Sequence, residues 1–318
     1  MKVKYHIFVG SGFIGQHLAN NLKSNYLNMD IVSTAKDYQY CDVRNPISIN
    51  SKKTIDIIYN LAAIHITPGH EYHEYFETNI KGAENICNYA RQKNVDTIVF
   101  TSSIAPYGTC EDEKTEKSLP LPASAYGISK LLSEEIHKRW QAEKPEERKL
   151  IIVRPGVVFG KNEGGNFSRL YRLIKTGRFF YPGRKDTKKA AIYVKDLVRL
   201  MIEMTENEPP GVHIFNTVNT PCHTIEEICR SVAVVTLIKE PKITIPASLL
   251  KIAAKSINGI GRIIGKPFNG IHPDRVKKLM ISTNINGQKL LDCNYRLNFS
   301  LDEAIADWYN DCNREGLY

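Results

Sequence analysis

Gly10, Gly12 and Gly15 stand in FVGSGFIG, between an apolar run from Tyr5 to Val9 and a stretch with Ile14, Leu18 and Leu22 spaced four apart. Strand, glycines, helix is an order that few folds accommodate. The first glycine permits a tight turn, the second lets backbone N–H groups approach a pyrophosphate, and the third lets the helix pack closely; the helix N-terminus adds positive potential. A lone GxGxxG is a weak sign, but one set between a strand and a helix points to a bound dinucleotide. Phe13 and Ile14, which open the helix, belong to the same cradle.

The fingerprint also requires an acidic residue at the end of the second strand, to accept hydrogen bonds from ribose hydroxyls. Asp30, closing YLNMD, meets that requirement. It lies 15 residues beyond Gly15, short of the usual separation of about 20, so the connecting helix should be trimmed. Ser33 and Thr34, with Lys36 nearby, would instead suit a 2′-phosphate. A carboxylate would repel that phosphate, so NAD is expected, with NADP the alternative. Asp42, in CDVRN, is placed either to meet the adenine amino group or to cap a turn.

Short apolar runs at Tyr5 to Val9, Tyr26 to Met29, Tyr38 to Cys41, Ile55 to Leu61, Thr97 to Thr101, Leu150 to Val153 and His213 to Asn216 read as strands. Helical stretches fall between them, including one from about Glu74 to Gln92, the pattern of βαβ units and a parallel sheet. After about Asn166, Gly, Pro and Lys break the apolar runs. The expected architecture is a Rossmann-type, doubly wound α/β sheet with a smaller C-terminal substrate-binding lobe. The dinucleotide-binding domain would take 1–165 plus about 190–216, and the lobe about 166–189 and 217–318.

Composition narrows the partners. The chain has 318 residues, 42% hydrophobic and 24% charged, with a net charge of +9. That excess permits an anionic partner, but no basic run interleaved with aromatics marks a nucleic-acid site. Seven scattered cysteines without a CxxC pair argue against a disulfide framework and a zinc site, and suit a reducing cytoplasm. The apolar run before the glycines is too short for a signal peptide, and no 18 uncharged apolar residues follow one another. Ile245 to Gly265 is apolar with Lys251, Lys255 and Arg262 interspersed. It reads as a helix of the lobe with solvated lysines, or as a segment lying weakly on an anionic membrane surface.

Tyr126 and Lys130 form YGISK, a spacing that puts both on one helix face. A tyrosine with an ordinary pKa near 10 is a poor base, but an adjacent ammonium and an oxidised nicotinamide favour its phenolate. Tyr126 would then exchange a proton with a sugar hydroxyl. Thr101, Ser102 and Ser103 close the fifth strand at the carboxyl edge, where such sheets bind ligands, and Ser103 would hydrogen-bond the reacting oxygen. Tyr126 follows Ser103 by 23 residues in a chain that already carries a dinucleotide turn.

From Phe8 to about Trp308, the sequence resembles the extended short-chain dehydrogenases/reductases of the NAD-dependent epimerase/dehydratase family. The resemblance is carried by FVGSGFIG, CDVRN, IIYNLAA, ETNIKGAENIC, FTSSIAPYG, YGISK, VRPGVVFG, IYVKDLV and NFSLDEAIADW. It implies that Val43, Leu61, Ala62 and Ala63, with Thr101, line the cofactor, that His65 sits near the pyrophosphate, and that Asn79 supports the active-site end of the sheet. Pro155 would touch the nicotinamide side. Asn166, Lys189 and Arg275 would bind the diphosphate of a nucleotide sugar, Lys189 standing where family members often carry Arg. The implied protein is a cytoplasmic homodimer that holds NAD, with no metal, and epimerises carbon 4 of a UDP-hexose or UDP-N-acetylhexosamine. The alternatives are a 4-ketoreductase and a non-catalytic dinucleotide sensor. Two departures stand out: Val9 replaces the first glycine of the usual TGxxGxxG, and Ser102, Ser103 and Ile104 occupy the places where dehydratases carry Thr, Asp and Glu, which excludes a 4,6-dehydratase.

Overall fold

The structure, a computed structural model, describes residues 4–22, 25–33, 38–49, 53–66, 69–250 and 280–318. Seven strands form the central sheet: β1 (His6–Val9), β2 (Tyr26–Asp30), β3 (Tyr38–Tyr40), β4 (Ile57–Asn60), β5 (Thr97–Thr101), β6 (Lys149–Pro155) and β7 (Gly211–Thr217). Their order across the sheet is β7-β6-β5-β4-β1-β2-β3, and every neighbouring pair is parallel. The chain therefore winds outward in both directions from β1 and β4, a doubly wound, Rossmann-type sheet. Each of the seven strands falls where an apolar run predicts it.

The near-continuous apolar character of these strands follows from burial on both faces. Successive side chains alternate between two cores. Phe8, Tyr59, Val99, Ile151, Val153 and Phe215 face one core, under α1 (Phe13–Leu22) and the helix Val194–Asn207. Ile7, Val9, Ile58, Ile98, Phe100 and Ile152 face the other, with Ile86 and Tyr89 of α2 (Lys81–Lys93) and Trp140 of α3 (Ala125–Ala142). The ten residues of α1 make it as short as the spacing between Gly15 and Asp30 requires.

The helix expected from Glu74 to Gln92 is not uniform. A turn of α-helix, Tyr72–Tyr75, passes into a π-helical stretch, Phe76–Ile80, before α2 begins. A π turn takes in one extra residue, which apolar spacing does not register.

A second, four-stranded sheet combines Cys110–Lys114, from the segment after β5, with Lys188–Lys189, His223–Thr224 and Thr283–Ile285. The closing helix Leu301–Asp311 puts Ala304, Ile305 and Trp308 into the same core as Phe8 and Val153. Among the described residues no helix is long and apolar enough to cross a membrane. Of the segment Ile245 to Gly265, residues 251–265 lie outside the described residues.

Candidate active site

The strand order reverses between β1 and β4, and the crevice outside their carboxyl ends is where a doubly wound sheet binds ligands. The glycine turn sits there. Gly10 has φ +110°, and a Cβ on it would stand 2.8 Å from the Ala62 nitrogen; one on Gly15 would stand 2.2 Å from the Gly10 carbonyl oxygen. These two positions admit only glycine. A Cβ on Gly12 would meet nothing within 4 Å, so the backbone there faces open space at the start of α1, where the first N–H groups lack intrahelical partners. Phe13 and Ile14 open that helix, and Leu61 packs beside them on the core. A closed turn below an open, donor-rich face fits a dinucleotide pyrophosphate.

Asp30 closes β2 against this turn. Its carboxylate accepts from the Ser11 N–H at 2.5 Å, the Ser11 hydroxyl at 2.9 Å and the Ile31 N–H at 2.6 Å. Ser11, buried and not singled out from the sequence, thus ties the turn to the second strand. The carboxylate of Asp42 caps its own turn through the Arg44 N–H at 3.0 Å and is gripped by the Arg44 side chain, which holds it below the usual carboxylate range. Val43 is buried, and its carbonyl accepts from Asn85 at 2.7 Å. Ala62 and Ala63 lie in the loop after β4, where the ring of His65 reaches the Ala63 backbone. Thr34, Lys36 and Arg275 lie outside the described residues.

The π stretch aims Asn79 at that loop. Its Oδ1 accepts from the Ile64 N–H at 2.9 Å, while its Nδ2 donates to the Ile64 carbonyl at 3.1 Å and to Ser129 Oγ at 2.8 Å. Asn79 therefore pins residues 61–64 to α3.

The structure brings Ser103, Tyr126 and Lys130 together at the end of β5. Ser124 caps α3 by accepting from the Gly127 N–H at 3.1 Å, so Tyr126 lies in the first turn and Lys130 one turn on. Tyr126 and Ser103 are hydrogen-bonded through their side chains, and Ser103 Oγ also accepts from the Ala105 N–H at 3.1 Å. Burial pushes the Tyr126 phenol up to about 12, against the opposing effect of Ser103. Lys130, 2% exposed, donates from Nζ to the Thr101 carbonyl at 2.8 Å and lies over the Phe100 ring. Burial pushes it down to about 7, and the charge of Glu134 works the other way. A phenol held by a serine, with a poised ammonium one turn away, is an arrangement for moving a proton at a hydroxyl or carbonyl.

Beneath this set lies a buried network that the motifs did not reveal. Glu134 accepts from Ser102 Oγ at 2.5 Å and from Arg154 Nε and Nη2 at 2.9 and 2.6 Å. Arg154 Nη1 donates to the Tyr107 hydroxyl at 2.6 Å, which donates to Asn216 Oδ1 at 2.9 Å. Burial opposes the Arg154 charge, but Glu134 more than offsets it and the guanidinium is held above its ordinary value. Two signals were available: Glu134 continues the Tyr126 and Lys130 spacing by four, and Arg154 interrupts an apolar strand.

Pro155 ends β6, and its carbonyl accepts from the Ile104 N–H at 3.1 Å. Asn166 opens the helix Asn166–Lys175. Lys189 donates to the Ile281 carbonyl at 2.7 Å, and burial pushes its amine down to about 8.

The chain is similar to several known proteins. The model of the NAD dependent epimerase/dehydratase family matches residues 9–217. An N-acetyl-α-D-glucosaminyl-diphospho-ditrans,octacis-undecaprenol 4-epimerase of Escherichia coli O157:H7 is 25% identical over 302 residues, 93% of this chain and 91% of that one. A UDP-glucose 4-epimerase of Vibrio cholerae is 25% identical over 64% of this chain and 67% of its own. Among solved structures, MoeE5 in complex with UDP-glucose and NAD is similar with a TM-score of 0.73 at 21% identity, over 98% of this chain and 99% of that one. The UDP-N-acetylglucosamine 4-epimerase of Bacillus cereus gives 0.73 at 19% identity, over 98% and 97%.

Proposed function

Since the chain belongs to the NAD dependent epimerase/dehydratase family, we propose that it inverts carbon 4 of a UDP-hexose or UDP-N-acetylhexosamine through a 4-keto intermediate. The observation that carries this reading is the assembled set at the end of β5: Tyr126 bonded to Ser103, with Lys130 buried one turn away. NAD, when bound, supplies a reversible hydride acceptor. Gly10, Gly12, Phe13, Ile14, Gly15 and Asp30 would hold its adenosine diphosphate half, with Asp42 and Val43 at the adenine. Leu61, Ala62, Ala63, Asn79, Thr101 and Pro155 would frame the remainder, together with Tyr126 and Lys130. The carboxylate of Asp30 supports NAD over NADP, because a 2′-phosphate beside it would be repelled.

The chain itself handles the proton. Tyr126 would take the proton of the carbon-4 hydroxyl while the hydrogen bonded to carbon 4 itself departs as hydride, and would give the proton back to the oxygen when that hydride returns to the opposite face of the keto sugar. Ser103 holds the reacting oxygen, and the cationic Lys130 stabilises the phenolate. Asn166, Lys189 and Arg275 would hold the substrate diphosphate on a lobe formed by about 166–189 and 217–318, against a dinucleotide domain of 1–165 plus about 190–216. A cytoplasmic homodimer is part of the same proposal, and the seven free thiols support a reducing compartment.

The test is to incubate the purified protein with UDP-glucose and UDP-N-acetylglucosamine without added reductant and follow the carbon-4 epimers by NMR. Interconversion is expected, and Tyr126→Phe should slow it by about 10²-fold or more. NADH or NADPH oxidised in step with a 4-keto sugar would replace the epimerase by a reductase. A second carrier is favoured by the similarity to the undecaprenol-linked epimerase across 93% of the chain: the sugar diphosphate would be polyprenyl-linked, in a polysaccharide pathway. Turnover of that substrate with none of UDP-sugars would establish it.

A further inference from the structure

Glu134 is wholly buried on α3, one turn beyond Lys130 and two beyond Tyr126, so the three share a face. Its two oxygens are taken up by Ser102 and by both arms of the Arg154 fork. The residue before Ser102 is Thr101, whose carbonyl anchors Lys130; the residue after it is Ser103, which bonds Tyr126. Every group of the reactive set is thus fixed either to α3 or to the three-residue segment that Glu134 grips. We infer that Glu134 is a positioning residue: it straps residues 101–103 to α3 through Ser102 and supplies the buried negative charge that faces Lys130. The inference rests on reading Lys130 as the cation of the active site.

Among the described residues, the surroundings of Lys130 offer no other anion. From its own helix it faces Glu134 and His137, with Tyr126 one turn back; from β5, the Phe100 ring and the Thr101 carbonyl; from the loop after β4, His65. Arg154 of β6 stands beyond Glu134. Two neutral imidazoles and an aromatic ring do little to hold an ammonium charged away from water. Among the charged groups, Glu134 alone acts to raise Lys130 against burial. Arg154 in turn grips both Glu134 oxygens, so the pair works as a fixed dipole with its negative end toward Lys130.

The experiment is a pH titration of Lys130 in protein labelled with 15N-lysine, read by NMR at Nζ and assigned with Lys130→Met. In Glu134→Gln, which keeps an acceptor for Ser102 but removes the charge, the Lys130 midpoint should fall by about one pH unit or more. The alkaline limb of the turnover profile should move the same way. Glu134→Asp, which keeps the charge, should restore the midpoint, and Ser102→Ala should leave it in place while lowering turnover. An unchanged Lys130 midpoint in Glu134→Gln overturns the inference. If that variant does not fold, the double variant Glu134→Gln with Arg154→Gln leaves neither half of the Glu134–Arg154 pair alone in the interior and is titrated under the same criterion. The NMR reading needs no substrate, so a wild type inactive on every sugar tried would count against the proposed reaction and not against Glu134.

Discussion

Lys130 illustrates how the proposed active site would work against stability. A lysine whose folded pKa lies below its unfolded one binds fewer protons folded than unfolded over that interval, so its contribution to stability rises with pH from about 7 upward. Below about pH 7 it is charged in both states and the full burial penalty stands. Lys130→Met, which gives up the bond to the Thr101 carbonyl but also the buried charge, should melt at a higher temperature than the wild type at pH 6. The gap should narrow as the pH is raised toward 9, and turnover should be lost. A gap that does not change with pH in thermal melts would contradict this. At this scale the placement of Tyr126, Lys130 and Ser103 at one end of the sheet was legible, because spacing and strand ends are one-dimensional signals. It did not reveal Glu134, Ser11 or Tyr107, whose roles depend on partners brought near only by packing.

The π-helical stretch Phe76–Ile80 is the element on which the geometry of the loop after β4 depends, since it delivers Asn79 to Ile64 and Ser129. Asn79→Ala would leave the Ile64 N–H unpaired, at about 1–3 kcal/mol. The expected result is a lowered melting temperature together with weaker retention of NAD, measured by calorimetric titration; normal NAD binding would show that residues 61–64 do not need the anchor. The seven strands and α1 were legible from apolar runs, because strands covered on both faces cannot avoid them. The π stretch was not, since one extra residue in a helix leaves no mark on composition. Nor were the two- and three-residue strands of the second sheet, such as Lys188–Lys189, which owe their conformation to neighbours distant in the chain.

Across the whole molecule one hydrophobic core runs from Phe8 and Val153 of the central sheet to Phe159, Phe167 and Trp308. Trp308 is wholly buried and donates from Nε1 to the Tyr318 carbonyl at 3.2 Å. Trp308→Ala should destabilise the protein by about 3–5 kcal/mol, and unfolding should remain one transition, coincident by far- and near-ultraviolet circular dichroism. Two separated transitions would mean that the shared core does not couple its parts. The second sheet bears on how the molecule is made. Cys110 pairs with Thr283, and Asn216 reaches the Asn286 carbonyl at 3.0 Å. Contacts of such long sequence separation close late and slowly. On the ribosome the glycine turn and its sheet strands emerge early, whereas the segment that follows Ser103 waits for residues near 283 to be synthesised. Under the proposed function, a nascent chain would hold a dinucleotide well before it could fix a sugar, and catalysis would be among the last properties the polypeptide acquires.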